Sequence, residues 1–329
     1  MSQYKLPVWG QSNITPKERA GIEAKFDREI QRRERAVFAA DIDAVEIHLE
    51  PESSASRLRL SPPVRIVFSD TGKVTEMNSV PVFSDTTKMR CPSFSLPAGP
   101  VALGGSCLAS NARSAAGKVY VCKECYAFTE SNYLRVSNQV RFSVRLAWVK
   151  RWLAQGSTAL AGQLIKAIGD IPNFRYFRIH DSGDFMGDPR YVAAWALVAS
   201  EFQQVLFWAP TRDWVYLEDL EPENRAVAAS HGIRSGIPGM SRAMKDVPRN
   251  LVIRPSALNV NDAPPRIAGL AAGLAVLDEE AAADNERCGM RSGAPYCLCA
   301  AFETGGSCET ARCRTCWEHP SREVGFPEH

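Results

Sequence analysis

At 329 residues, with 45% apolar and 23% charged side chains, the chain has the make-up of an ordinary globular protein, which excludes general disorder. Its formal net charge is only +2, so any basic character is local. The longest unbroken apolar stretch, Tyr191–Ala199, is far short of the ~20 residues a spanning helix needs, and the first residues carry no export signal, so a cytoplasmic protein without membrane contact is expected.

In chain order, Thr15-Pro16-Lys17-Glu18 is a helix start: Thr15 can accept from the Glu18 amide, Glu18 can reach back, and proline suits the first turn. The helix expected from there to about Ala40 mixes seven Lys/Arg with five Asp/Glu between Lys17 and Arg35, the balance of a solvated surface. The Pro- and Ser-rich stretch Pro51–Pro63 reads as the boundary of an N-terminal extension, residues 1–60. Val64–Phe68, the turn Asp70-Thr71-Gly72-Lys73 and the residues from Val74 read as a β-hairpin.

Ten cysteines then fall into two groups: four between Cys91 and Cys125, none in residues 126–287, and six between Cys288 and Cys316. Clustered thiols in a reducing compartment point to metal ligation before disulfides. The first set is Cys91, Cys107 and the pair Cys122 and Cys125, whose two-residue spacing lets two thiolates chelate from one tight turn. The second set repeats that pair at Cys313 and Cys316. Cys297 and Cys308 are the expected additional ligands, with Cys288 and Cys299 spare. Each set has enough thiolates for a four-ligand zinc site or an iron–sulfur cluster, and sulfur ligands alone do not separate the two. A redox pair or free structural thiols are the competing readings.

Between the groups the pattern alternates helix and strand. Ser131–Leu153 is helical, with Val140, Val144 and Trp148 one turn apart, and a second helix over about Thr158–Ile168 stops at Gly169. Strand Tyr176–His180, helix Pro189–Phe202, strand Val205–Trp208 and strand Leu251–Arg254 follow. Repeated βα units imply an α/β fold, a partial or complete parallel (β/α) barrel over residues 61–287, with a cysteine-rich segment at 288–329. Chemistry in such folds gathers at the carboxyl ends of strands. His180, Asp181 and Asp184 sit there and are candidate acid–base residues, unless the two aspartates only cap the next helix. Arg212 holds the equivalent position after the next strand and could pair with an anionic group. From Ser131 to Ile179, eight Lys/Arg face one acid, Asp170, with Trp148, Trp152 and Tyr176 among them. Such a stretch could meet nucleic acid or a nucleotide, or be solvated cations over an aromatic core.

Several of these motifs resemble the phage "gene product 88" family. They are Cys91-Pro92-Ser93-Phe94-Ser95-Leu96-Pro97-Ala98, Cys122-x-x-Cys125-Tyr126-Ala127, Arg178–Phe185 and Phe207–Arg212, with the tail Cys308-x4-Cys313-x2-Cys316-Trp317 and Phe326-Pro327-Glu328-His329. The resemblance covers roughly residues 60–329 and implies a setting in phages, plasmids and other mobile elements. A non-catalytic binding protein, or one acting on a host protein, would also fit that setting. A cysteine loop ending Cys-x-x-Cys-Tyr, then a helix, then a strand with a small-Gly-acid turn is also similar to the opening of the radical S-adenosylmethionine fold. That similarity implies a [4Fe–4S] cluster on three cysteines with one iron open to S-adenosylmethionine, and Ser182-Gly183-Asp184 as the turn that holds the cofactor's amino group. The fourteen residues between Cys107 and Cys122 depart from the usual Cys-x3-Cys-x2-Cys. If Cys91 also ligates, no iron is left open.

Overall fold

The computed structural model describes residues 36–38, 45–50, 56–68 and 74–327, except 87–88, 102–103, 113, 116, 124, 126, 128–132, 134, 284–296 and 304–306. The helix expected from Thr15 lies outside the described residues up to position 35. At its far end Ala36–Phe38 is a strand, β1. It pairs antiparallel with Ile66–Phe68, a tertiary pairing that overrides helical continuity. Strand β2, Glu46–Glu50, and the hairpin of β3, Arg57–Phe68, with β4, Val74–Pro81, complete a four-stranded antiparallel sheet. The expected hairpin is present, with Val67 opposite Val74. Strand β3 begins earlier than the hydrophobic pattern suggested and runs through Pro62 and Pro63, where the pairing with β4 shifts register, so position 60 lies inside a strand.

The second sheet carries the site. Its strands are β5, Ser84–Asp85, β6, Pro92–Phe94, β7, Tyr176–Ile179, β8, Leu206–Thr211, and β9, Leu251–Pro255, in the order β5-β6-β7-β8-β9. Strands β6 to β9 run parallel, with Phe94 beside Ile179, Phe177 beside Phe207 and Phe207 beside Leu251. The crossovers contain α1, Val136–Leu153, α2, Ser157–Gly169, α3, Pro189–Glu201, α4, Pro222–Ser230, and α5, Met240–Lys245. The expected parallel order is therefore present. The barrel is not: the described strands form separate sheets, none of them closed.

Alternation along the strands explains the layers. Phe94 packs edge-on and Phe177 tilted against Trp195 of α3 on the helical face, with ring centroids 5.5 and 5.7 Å from it. Tyr176 and Trp208 point the other way, where Trp317 lies 5.4 and 5.3 Å from them. Trp317 belongs to a C-terminal segment built from β10, Leu274–Leu277, α6, Glu279–Ala283, β11, Cys297–Leu298, α7, Ala300–Glu303, α8, Thr315–Glu318, and β12, Val324–Pro327. This segment covers the sheet face that a closed barrel would turn inward. Val140, Val144 and Trp148 of α1 are buried, as their spacing predicts. Gly169 is the last residue of α2 and makes no left-handed stop. No described helix is long and apolar enough to cross a membrane.

Two cations of the basic stretch, Arg145 and Arg178, are structural. Arg145 is fully buried and donates to the carbonyls of Pro81, Phe83 and Ser95 and to Ser84 Oγ, tying α1 to the start of the second sheet. Burial, reinforced by Arg141, lowers its pKa to about 9. Arg178 turns to the C-terminal segment's side, where its guanidinium lies 5.0 Å from the Trp208 ring centre and pairs with Asp181 at 2.5 Å. Trp148 is core as well.

Candidate functional site

Four loops converge beyond the carboxyl ends of β6 to β9. The loop after β6 carries Cys107, whose amide donates to Gly99 O at 2.9 Å across a close approach of two chain segments. A Cβ at Gly105 would lie 2.2 Å from that same Gly99 oxygen, so only glycine fits there. Cys122 follows Tyr120 and Val121, which run as an antiparallel bridge against the loop after β9: Tyr120 opposes Asn259, and the Val121 amide donates to Leu258 O at 2.9 Å. Cys125 completes the turn and faces the same pocket.

The loop after β7 is laced to the loop after β6. His180 N donates to Phe94 O, Leu96 N to Ser182 O, Asp184 N to Ser106 Oγ and Met186 N to Ser106 O. Gly183, at φ +91°, is wedged between them, and a Cβ there would meet Ser106 Oγ at 2.4 Å. Asp184 is buried and accepts from Thr211 Oγ1 at 2.6 Å and from the amides of Phe185 and Arg212, each at 2.8 Å. These three donors make the carboxylate a tie between the end of β7 and the end of β8. The helix cap is Asp188, which accepts from Arg190 N, so neither Asp181 nor Asp184 serves α3 that way. Asp213, buried behind Thr211, accepts from the amides of Ala109 and Gly187. Burial raises its pKa, and the neighbouring Asp184 raises it further. Burial likewise raises that of Asp184.

The pocket these loops enclose is about 80 Å³ and is lined by Cys107, Cys122, Cys125, His180, Asp181, Ser182, Gly183, Asp184 and Arg212. That volume suits a compact inorganic group. Burial raises the thiol pKa of Cys107, as do the nearby Asp184, Cys122 and Cys125. Cys122 is pushed up to about 11 by burial, against the pull of Arg212. Burial lowers the pKa of Arg212, but Cys122, Cys125, Tyr120 and Asp184 together hold it above its ordinary value. A guanidinium so enclosed calls for anionic neighbours, and metal-bound thiolates would supply them. His180 Nδ1 and Ser182 Oγ are buried and have no hydrogen-bond partner among the described residues. Among the described residues, no three His, Cys, Asp or Glu side chains are close enough to grip one ion.

His180 sits at φ +66° with Nε2 3.1 Å from Tyr191 OH. Burial, with Arg178 nearby, lowers its pKa to about 3, so the ring is neutral at physiological pH and stores no proton there. The unfolded chain, with a His pKa near 6.5, binds this proton first, so the folded state loses stability as pH falls below 6.5 by about 1.4 kcal/mol per unit. Replacing His180 with asparagine, which tolerates the left-handed backbone, should shrink the stability loss between pH 7 and 5 by about 2 kcal/mol in urea unfolding. The raised pKa of the Asp184 and Asp213 pair acts with the opposite sign and cancels in that comparison. Asp181 accepts from Tyr133 OH at 2.7 Å as well as from Arg178.

Cys91 does not join this set. It lies before β6, at the opposite end of that strand from Cys107, and packs with Cys299, Cys308 and Cys316 under Trp208 and Trp317. Its thiol pKa is raised by burial, with Thr86, Arg178 and Asp181 beside it. Cys299, expected to be spare, instead faces Cys316, together with Cys308 and Cys313. The side chain of Cys297 and all of Cys288 fall outside the described residues. The division into two thiol sets stands, but their membership is three and five among the described cysteines, since Cys91 changes sides. Asp213, Thr211 and Tyr120 were missed by sequence reasoning. The one signal for the first two was that Thr211-Arg212-Asp213 closes an otherwise apolar strand.

A family model described as "Gene product 88" matches residues 68–319. The "Gene 88 protein" of Mycobacterium phage D29 is 33% identical over 107 residues, 29% of this chain and 44% of that protein, so the chain spans less than half of this curated relative. No solved structure matches the chain.

Proposed function

The chain belongs to the gene product 88 family, and within that family we propose that it is an iron–sulfur enzyme whose [4Fe–4S] cluster is held by Cys107, Cys122 and Cys125, with one iron open to S-adenosylmethionine and a nucleotide or nucleic acid as substrate. The observation that carries this reading is the separation of Cys91 from the other three, which leaves three thiols around a pocket at the strand ends. Soft thiolate ligands around one pocket suit an iron–sulfur centre, and zinc is the other metal that such ligands take.

When bound, such a cluster supplies one-electron chemistry. The protein's own contribution is to hold the centre dry and electrostatically balanced. Arg212 offsets thiolate charge. Asp184, which accepts from three donors, fixes Arg212 through its backbone amide. Because Cys107 and Cys122 are protonated at neutral pH when metal-free, loading releases protons and strengthens as pH rises. The second set supports a stabilising centre that fastens the C-terminal segment to the sheet.

Protein purified anaerobically should be brown, with about four iron and four sulfide per chain at this site. Stoichiometric zinc with neither iron nor sulfide would remove the proposal.

A further inference from the structure

The second thiol set joins two distant parts of the chain. Cys91 comes from the loop before β6, a loop closed on itself by Thr86 N donating to Cys91 O at 3.2 Å and Arg90 N to Thr86 O at 2.7 Å. Cys308, Cys313 and Cys316 come from the C-terminal segment, where the Cys313 amide donates to Cys308 O at 2.9 Å and Cys316 lies in α8. The two pieces are pinned beside the thiols: Arg90, next to Cys91, pairs with Glu309, next to Cys308, at 3.1 Å. We propose that Cys91, Cys308, Cys313 and Cys316 form a four-thiolate zinc site that clasps the lead-in of β6 to the C-terminal segment. This deepens the stabilising role given to the second set and is independent of what the strand-end pocket holds.

The neighbours of each thiol choose these four. Cys308 has Cys313 and Cys91 beside it, and Cys316 has Cys308 and Cys313. Cys299 adjoins Cys316 from the end of β11, where its amide is bound to Gly325 O at 2.9 Å, and is the fifth, non-ligating thiol. Zinc with four thiolates carries two negative charges, which a buried site tolerates only with compensation. Arg178 and Arg314 neighbour both Cys91 and Cys308, and Arg254 neighbours Cys316. Arg254 is fully buried and donates to five neutral carbonyls, which satisfy N–H groups but leave its charge calling for an anion. Cys91, Cys308 and Cys316 are packed in one apolar cluster with Met89, Trp208 and Trp317, and a single ion displaces less of that packing than a multi-iron cluster. Among the described residues the sulfurs do not converge on one point as they stand. Rotation about χ1 brings them in, and half-buried Cys313, with Sγ 3.4 Å from Thr315 Oγ1, has the room for it.

The test is metal analysis with zinc X-ray absorption on the full chain as purified, in the wild type and in Cys91→Ser, Cys299→Ser and Cys122→Ala. The wild type should hold one zinc bound by four sulfurs at about 2.3 Å. Cys91→Ser should drop the sulfur count to three and weaken zinc retention against a chelator at least about tenfold. Cys299→Ser and Cys122→Ala should leave this zinc and its sulfur count unchanged. Melting temperatures report folding, and the wild type and Cys122→Ala leave the clasp intact, so the proposal stays refutable if Cys91→Ser does not fold. No zinc, zinc with fewer than four sulfurs in the wild type, unchanged zinc in Cys91→Ser, loss of the zinc in folded Cys122→Ala, or a second iron–sulfur cluster in its place would overturn the assignment. Zinc at this site in a protein without iron would leave the clasp standing and remove the strand-end cluster. A protein with one cluster and no zinc would do the reverse.

Discussion

Alanine at Cys122 or Cys125 should lower iron and sulfide at the strand-end site at least about tenfold, whereas alanine at Cys91 should leave them at the wild-type level. The contrast follows from placement. Cys122 and Cys125 sit on one turn, held in place by the bridge from Tyr120 to Asn259, and share a pocket with Cys107. Loss of either thiolate would remove one of the proposed ligands, and changes even to groups that only orient ligands cost about 10–100-fold in affinity. Because metal-site binding energy is folding energy, the same variants should melt earlier and expose the loop after β6 to protease. Cys91→Ala opens a cavity between Met89 and Cys308 instead, and its effect belongs to the C-terminal segment. Iron loss in Cys91→Ala equal to that in Cys122→Ala would mean that the two sets are one site.

The second large effect is expected at Arg254. This residue of β9 is fully buried and donates to five carbonyls: Ala272 at 2.7 Å, Thr315 at 3.0 Å, Cys316 at 3.1 Å, His319 at 2.6 Å and Arg322 at 2.8 Å. It is the hub on which the C-terminal segment is wound. Truncation to methionine keeps the apolar stem but strands those acceptors, each costing about 1–3 kcal/mol if it stays buried. The total is limited by the segment's own docking energy, so a loss of about 3–5 kcal/mol is expected. Limited proteolysis should then cut near the C-terminus, and quenching of Trp317 should increase. Arg254→Lys should recover only part of this, since a point charge with three donors cannot span five acceptors. A wild-type digestion pattern in Arg254→Met would show that the segment is held by other contacts.

Features carried by local periodicity were legible in the sequence. The face of α1, the βα alternation, the parallel order of β7 to β9 and the concentration of polar residues after β7 and β8 all follow from 3.6- and 2-residue spacing and from turn chemistry. What escaped detection depends on where short elements begin. Strand β6 is three residues long and includes a proline, so nothing in Cys91-Pro92-Ser93-Phe94 announced that a strand would send Cys91 and Cys107 to opposite ends. Arg145 looked like part of a basic surface because its helix position does not reveal that four acceptors wait beneath it. The sheet stays open because Trp317 and Phe326 pack on Trp208, a contact across about 110 residues that no periodicity encodes. The roles expected of His180 and Asp184 were inferred from residue type and strand-end position. Burial and hydrogen bonding, which decide protonation, come only with the fold.

The central claim is that three thiols at the strand ends leave one iron open. Electron paramagnetic resonance of the anaerobic, chemically reduced protein tests it most directly, before and after addition of S-adenosylmethionine. A reduced [4Fe–4S] signal that changes when the cofactor is added, in the wild type and in Cys91→Ala alike, is the expected result. A cluster signal indifferent to the cofactor, or a protein that holds only zinc, would contradict it.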